Sequence, residues 1–358
     1  MIRTPGSSDQ CQIVITGDNF VLTPTVELRN IQAKVKDATN EVITASVPYS
    51  MLADIYGLTV INTNGLSGTL SPAFTVYPVP PGPTISLESP YLVTFGTDAS
   101  PPHDSGFQVQ RIFFEVPENL SGDLYVRIFD ADTGGLLSVD FMYGTNFNTT
   151  TSYTLYGSGT PLLTATIGYS DTLDNRWDSF LGPFSLDKGE LVEDRRIFEL
   201  AVEGQGGDDA NWYRVALSTS PDTNTMPSGS RMFACSWTLL VPGTDKPRLH
   251  PYVMKGVTTF RLRSLGCDCI EEGRLLIQTP LRELEASCPE KNGSFTPVDF
   301  SVEEGEDGMT WTVDFSEYGV PCDVFDPLGF WAEDEISQIL PIFTRPTTAM
   351  PPYQAGCP

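Results

Sequence analysis

Histidine is nearly missing from this chain of 358 residues: only His103 and His250 occur, which narrows the scope for general-base and nucleophile-activating chemistry. No G-x-S-x-G elbow, Walker loop or H-E-x-x-H helix is present. His103 sits in Pro101-Pro102-His103-Asp104-Ser105-Gly106, but adjacent residues of one loop seldom face one another as a catalytic triad must. Carboxylate pairs for glycoside hydrolysis depend on a separation in space that sequence does not give. Long apolar runs are also absent, none approaching the ~20 residues of a membrane helix. No basic-then-apolar signal segment opens at Met1, so the numbering is expected to start at a mature or cut end. Positive charge is scarce too. Against 46 Asp and Glu stand 21 Lys and Arg, for a net charge of −25. That balance repels nucleic acid and anionic membranes and attracts divalent cations, while also serving simply to keep the protein soluble. Neither a nucleic-acid partner nor a membrane span is expected.

Seven cysteines are too few for a disulfide scaffold. Cys267, Cys269, Cys288 and Cys322 cluster in the last third, Cys11 and Cys357 lie near the two ends, and Cys235 falls between. The C-x-C spacing is tighter than the C-x₂₋₄-C of a zinc knuckle, and only His250 lies nearby as a nitrogen ligand. Disulfides are therefore expected over zinc, with one cysteine left free or paired to another chain.

Short β-branched runs separated by Gly, Pro and Asn are abundant. An apolar strand stops at Gly17, and Val26-Glu27-Leu28, Val42–Pro48, Gly57–Asn62 and Ala73–Val76 follow it with the period of two of half-buried strands. The G-x-N-F of Gly17–Phe20, the I-T-A-S-V-P of Ile43–Pro48, the V-x-N-x-x-G of Val60–Gly65 and the A-F-T-V of Ala73–Val76 resemble the IPT/TIG family of immunoglobulin-like domains. The resemblance covers roughly a fifth of the chain. It implies a spacer or binding module of a surface or secreted protein, with no catalytic residues to carry over.

Tyr77-Pro78-Val79-Pro80-Pro81-Gly82-Pro83 reads as a stiff linker. Strands are expected beyond it in Arg111–Pro117, Asp123–Phe129, Tyr153–Tyr156, Ile197–Val202 and Trp212–Leu217, and a second break at Val241–Pro247. Period-two runs resume in Thr258–Arg263, Gly273–Ile277, Met309–Phe315 and Ile339–Phe343, while Pro280–Ser287 leaves room for a helical turn. The expected fold is all-β, with three tandem β-sandwich domains: Ig-like IPT/TIG at 1–79, a jelly-roll-like central sandwich at 84–242 and an Ig-like sandwich at 247–345. Residues 346–358 form a proline-rich tail.

Phe129-Asp130-Ala131-Asp132-Thr133-Gly134-Gly135 ends a strand with alternate carboxylates and a glycine turn, a pattern suited to the six to eight hard oxygens that Ca²⁺ takes. It is not an EF-hand, because Gly134 and Phe141 fall where that loop needs an acid or amide and a glutamate. A second acidic loop, Glu203–Asn211, lies between two expected strands of the same domain. If both loops leave one end of the sandwich, Asp130, Asp132, Asp208, Asp209 and Asn211 are the candidate Ca²⁺ ligands; an Asx turn accounts for D-x-D-x-G-G without an ion. The segments Phe113–Pro117 and Gly122–Val126 are similar to bacterial pre-peptidase C-terminal domains, which implies a secreted accessory sandwich, often with calcium. Trp177 and Trp212 offer either sugar-stacking faces or core. Asn119, Asn148 and Asn292 each begin an N-x-[ST] glycan acceptor pattern.

Together these features lead to the expectation of a non-enzymatic extracellular or cell-surface protein, structural or adhesive, with calcium in its central domain. IPT/TIG domains usually open with one more strand than the ten or so residues before Cys11 leave room for. Either the chain was cut from a longer protein, or a neighbouring copy supplies that strand, which would give a homo-oligomer or filament through the chain termini. The alternative is an accessory region of a secreted enzyme that binds carbohydrate; a carbohydrate or cell-surface ligand suits either reading.

Overall fold

A computed structural model describes residues 12–21, 23–28, 31–46, 54–76, 88–99, 109–134, 140, 142, 146–169, 172–239, 247–265, 274–287, 296–315 and 328–349. Among them the regular structure is antiparallel strand, apart from a single 3-10 turn at Leu186–Lys188. The all-β expectation holds. The linker at 77–83, residues 241–246 of the second break, His103, Asn292, residues 350–358 and every cysteine except Cys235 lie outside the described residues.

The strands belong to two compact units. In the first, six strands pair in the order Gln12–Thr16, Val42–Ser46, Ile31–Ala38, Thr25–Leu28, Asp54–Ile61 and Ser67–Val76. Alternate residues of these strands build its core: Val26 and Leu28, Ile43 and Ala45, Tyr56, Leu58 and Val60. The G-x-N-F turn is tied to the later hairpin by one side chain, because Asn62 Nδ2 donates to Asn19 O at 3.0 Å while its Oδ1 accepts from Val21 N at 3.0 Å. A Cβ at Gly17 would meet the tip of the Phe20 ring that folds back over it, at 2.7 Å, so the ring would have to shift.

The second unit contains two long sheets. One follows the path Thr160–Ile167, Thr150–Gly157, Arg195–Gln205, Val109–Pro117, Arg231–Ala234, Ile342–Phe343, Arg248–Val253, Thr312–Asp314, Arg274–Gln278 and Glu283–Ser287. The other follows Trp177–Ser185, Asp123–Phe129, Ala210–Ser218, Leu92–Phe95, Trp237–Leu239, Leu328–Glu333, Thr259–Leu265 and Thr296–Ser301. Strands from 84–242 and from 247–345 share both sheets, with Phe233 opposite Phe343 and Trp237 opposite Phe330. They share one apolar core as well, in which period-two sets such as Ile112, Phe114 and Val116 meet Tyr213, Val215 and Leu217, and Leu328, Phe330 and Ala332 continue it. Cys235 is buried and disulfide-bonded. Residues 280–287 form no helix: Thr279 Oγ1 caps a turn by accepting from Leu281 N and Arg282 N, and Glu283–Ser287 is a strand.

Candidate metal centre

Three neighbouring strands of the second sheet bring their acidic ends to one edge. Asp123–Phe129 runs into Asp130; its last residue, Phe129, lies opposite Trp177 on one side and Arg214 on the other. The turn that precedes Trp177 carries Asp174, and the residues leading to Arg214 carry Asp209 and Asn211. Antiparallel pairing thus converts a strand end and two strand starts into one acidic cluster.

Within it, Asp130, Asp132 and Asp174 each offer a carboxylate oxygen, all within 4.8 Å of one another. Asp130 and Asp132 are fully buried. At that separation, and with an effective dielectric near 20, each pair of ionised carboxylates repels by about 3–4 kcal/mol. Three such pairs would cost a substantial part of a domain's stability, so protons or positive charge must offset them. Asp130 is held by Asn175 N, which donates to its Oδ1 at 3.0 Å, while Asp130 N donates to Arg176 O at 3.0 Å. Both Asp130 and Asn175 adopt positive φ, +56° and +50°, a region that short polar side chains tolerate best after glycine.

The rest of the site is built to hold the Asp130–Gly134 loop still. Tyr153 OH, from the facing sheet, donates to Ala131 O at 2.8 Å. Burial pushes that hydroxyl well above its usual pKa; Tyr213, Asp140 and Asp130 push the same way, against the Asn211 hydrogen bond, so Tyr153 stays a neutral donor. Asn211 Nδ2 donates to Thr151 Oγ1 at 2.8 Å, to Tyr153 OH at 3.2 Å and to Ala131 O at 3.3 Å. Its Oδ1 and the Thr133 hydroxyl are buried without a hydrogen-bond partner among the described residues. Asp140 accepts from Gly134 N and Trp212 N, both at 2.6 Å. Gly134 has φ +93°, and a Cβ there would run into the Phe147 ring.

Of the residues singled out from sequence, Asp130, Asp132 and Asn211 surround Ala131, and Asp174 joins the two aspartates. Asp208 and Asp209 stand outside the triad. Asp209 Oδ2 accepts from Asn148 N at 2.6 Å and Thr149 N at 3.1 Å, and Asp208 N donates to Asn148 Oδ1 at 3.0 Å. Sequence reasoning missed Asp174 and Asp140; the available signal for Asp174 was the D-N turn just before the W-D-S-F run. Trp212 goes to the interior, whereas Trp177 is half-buried, with Arg127 and Arg214 lying 5.7 and 5.9 Å from its ring centre. His250 is buried with its Nδ1 3.0 Å from Thr312 Oγ1. Among the described residues no helix is long and apolar enough to cross a membrane. No protein family, curated protein or solved structure matches this chain.

Proposed function

We propose that this chain is a non-enzymatic structural or adhesive β-protein of the cell exterior, a calcium-stabilised subunit of a self-assembling filament. The observation that carries the calcium part is the Asp130–Asp132–Asp174 triad, with Asp130 and Asp132 fully buried and Asp174 half-buried. Carboxylates, the Asn211 amide oxygen and the Thr133 hydroxyl are all hard oxygen ligands of the kind Ca²⁺ prefers, and nitrogen and sulfur ligands are missing from the triad. Three chain segments meet at the cluster, so a bound ion would act chiefly as a staple between strand ends. Asp208 and Asp209, also expected as ligands, fit a supporting part, bracing the 146–149 segment through its backbone and Asn148.

Assembly through the termini draws support from Gln12–Thr16, a terminal strand of the first unit's sheet that among the described residues pairs on one side only, with Val42–Ser46. Its outer backbone groups suit an added strand. Deleting residues 1–8, or 346–358, is expected to leave folded protein that no longer elongates, as read by light scattering. A full-length chain that stays monomeric at high concentration in calcium, with the truncations changing nothing, would reject the filament. One observation favours the alternative, a carbohydrate-binding accessory module: Tyr169 is 59% exposed and stacks on Phe147, whose ring packs against Gly134 beside the acidic cluster. Sugar-array binding abolished by Tyr169→Ala would support that reading.

A further inference from the structure

The two long sheets have four terminal strands, and three carry the features that deter a second chain from pairing with them. Glu283–Ser287 has Glu283 and Glu285. Thr296–Ser301 has Pro297 and Asp299. Trp177–Ser185 has Asp178, Pro183 and two shifts of register against its neighbour. The fourth, Thr160–Ile167, is eight residues long, has no charged side chain, and has proline only at its second position. Among the described residues it pairs on one side alone, with Thr150–Gly157.

The lack of charge extends well past the strand. Residues 141–170, thirty in succession, contain no Asp, Glu, Lys, Arg or His in a chain that is 19% charged. Any approach of two copies is opposed by a net charge of −25 on each, and this uncharged hairpin is one of two long stretches, with residues 55–87, where that opposition is locally weak. Thr160, Thr164 and Thr166 are exposed, while Leu162, Leu163, Ala165 and Ile167 are half-buried. The edge therefore offers free backbone donors and acceptors flanked by β-branched and small apolar side chains, and nothing on it would reward a charged partner.

We propose that Thr160–Ile167 is a self-docking edge, pairing antiparallel with the same strand of a second copy. Two identical antiparallel strands satisfy each other's outer N–H and C=O groups about a two-fold axis, so the contact closes at a dimer and joins the two copies of that sheet into one. It differs from assembly through the termini, which is open-ended and uses other surfaces.

Sedimentation velocity of the full-length chain, over concentrations below those at which light scattering detects elongation, is expected to show a monomer–dimer equilibrium. The double substitution Thr164→Lys, Thr166→Lys changes two exposed residues and places like charges across the two-fold axis; the dimer boundary should disappear while the melting curve is kept. Chains lacking residues 1–8 or 346–358 should still dimerise. If the lysine variant melts lower, hydrogen exchange on the unmodified chain gives an independent reading. Amides within 160–167 should gain protection as concentration rises. A chain that stays monomeric, a lysine variant that dimerises as tightly as the parent, or exchange in 160–167 that ignores concentration would overturn the proposal.

Discussion

Glu115 and His250 are buried ionisable groups whose protons move stability in opposite directions. Burial raises Glu115 to about 7, outweighing its ion pair with Arg231 and the more distant charge of Arg195. Its folded value lies above the unfolded one, so its contribution is fully present below about 4.5 and is lost as pH rises through about 7. Burial lowers His250 to about 4, with Arg248 acting the same way and the Trp311 backbone and Asp314 opposing. That contribution is present above about 6.5 and is lost as pH falls through about 4. Each amounts to about 3 kcal/mol at most, and between pH 4.5 and 6.5 they nearly cancel. Glu115→Gln should therefore unmask a stability that falls on acidification, and His250→Gln one that falls on alkalinisation, whatever each does to the mean. Urea unfolding at a series of pH values reads the slopes; parallel profiles for both variants and the parent would contradict the assignment.

The Asp130–Gly134 loop works as an element because hydrogen bonds from Tyr153 OH to Ala131 O, from Asn175 N to Asp130 Oδ1 and from Gly134 N to Asp140 Oδ2 fix its path. Gly134→Ala puts a side chain at φ +93° and against Phe147, which should cost about 1–3 kcal/mol in denaturant unfolding and weaken calcium binding, seen as a higher apparent Kd by calorimetry. Unchanged affinity would mean that the loop does not need its present path. The same element marks how far the sequence could be read. Asp123–Phe129 and Ala210–Ser218 were legible because apolar residues alternate along them. Asp130, Asp132 and Asn211 were legible because they sit at the ends of those strands. Asp174 was not, since its strand, Trp177–Ser185, carries Gly182 and Pro183 and shifts register twice, hiding the period of two. Asp209 carried a strong local signal, yet its carboxylate is taken up by the backbone at Asn148 and Thr149. Which acid neighbours which depends on strand order, and composition does not encode it.

At the scale of the molecule, the two segments read as successive sandwiches share sheets and core because Arg231–Ala234 and Trp237–Leu239 each pair with a strand on both sides. Neither short strand shows a period long enough to be recognised in sequence. If the chain is exported, non-reducing mass spectrometry should find disulfides among Cys267, Cys269, Cys288 and Cys322 and no stoichiometric zinc; four free thiols would argue for a reducing compartment. The central claim is that an ion staples the second unit. Scanning calorimetry of the full-length chain in saturating calcium and in excess chelator tests it most directly. Ion binding at a hundredfold excess over Kd adds about 2.7 kcal/mol, so chelation should lower the second unit's transition by about 5–10 °C. The first unit's transition should stay where it is, and Asp174→Asn or Asp130→Asn should melt alike in both buffers. Superimposable melts of the parent chain in calcium and chelator, with no metal found by elemental analysis, would contradict the account.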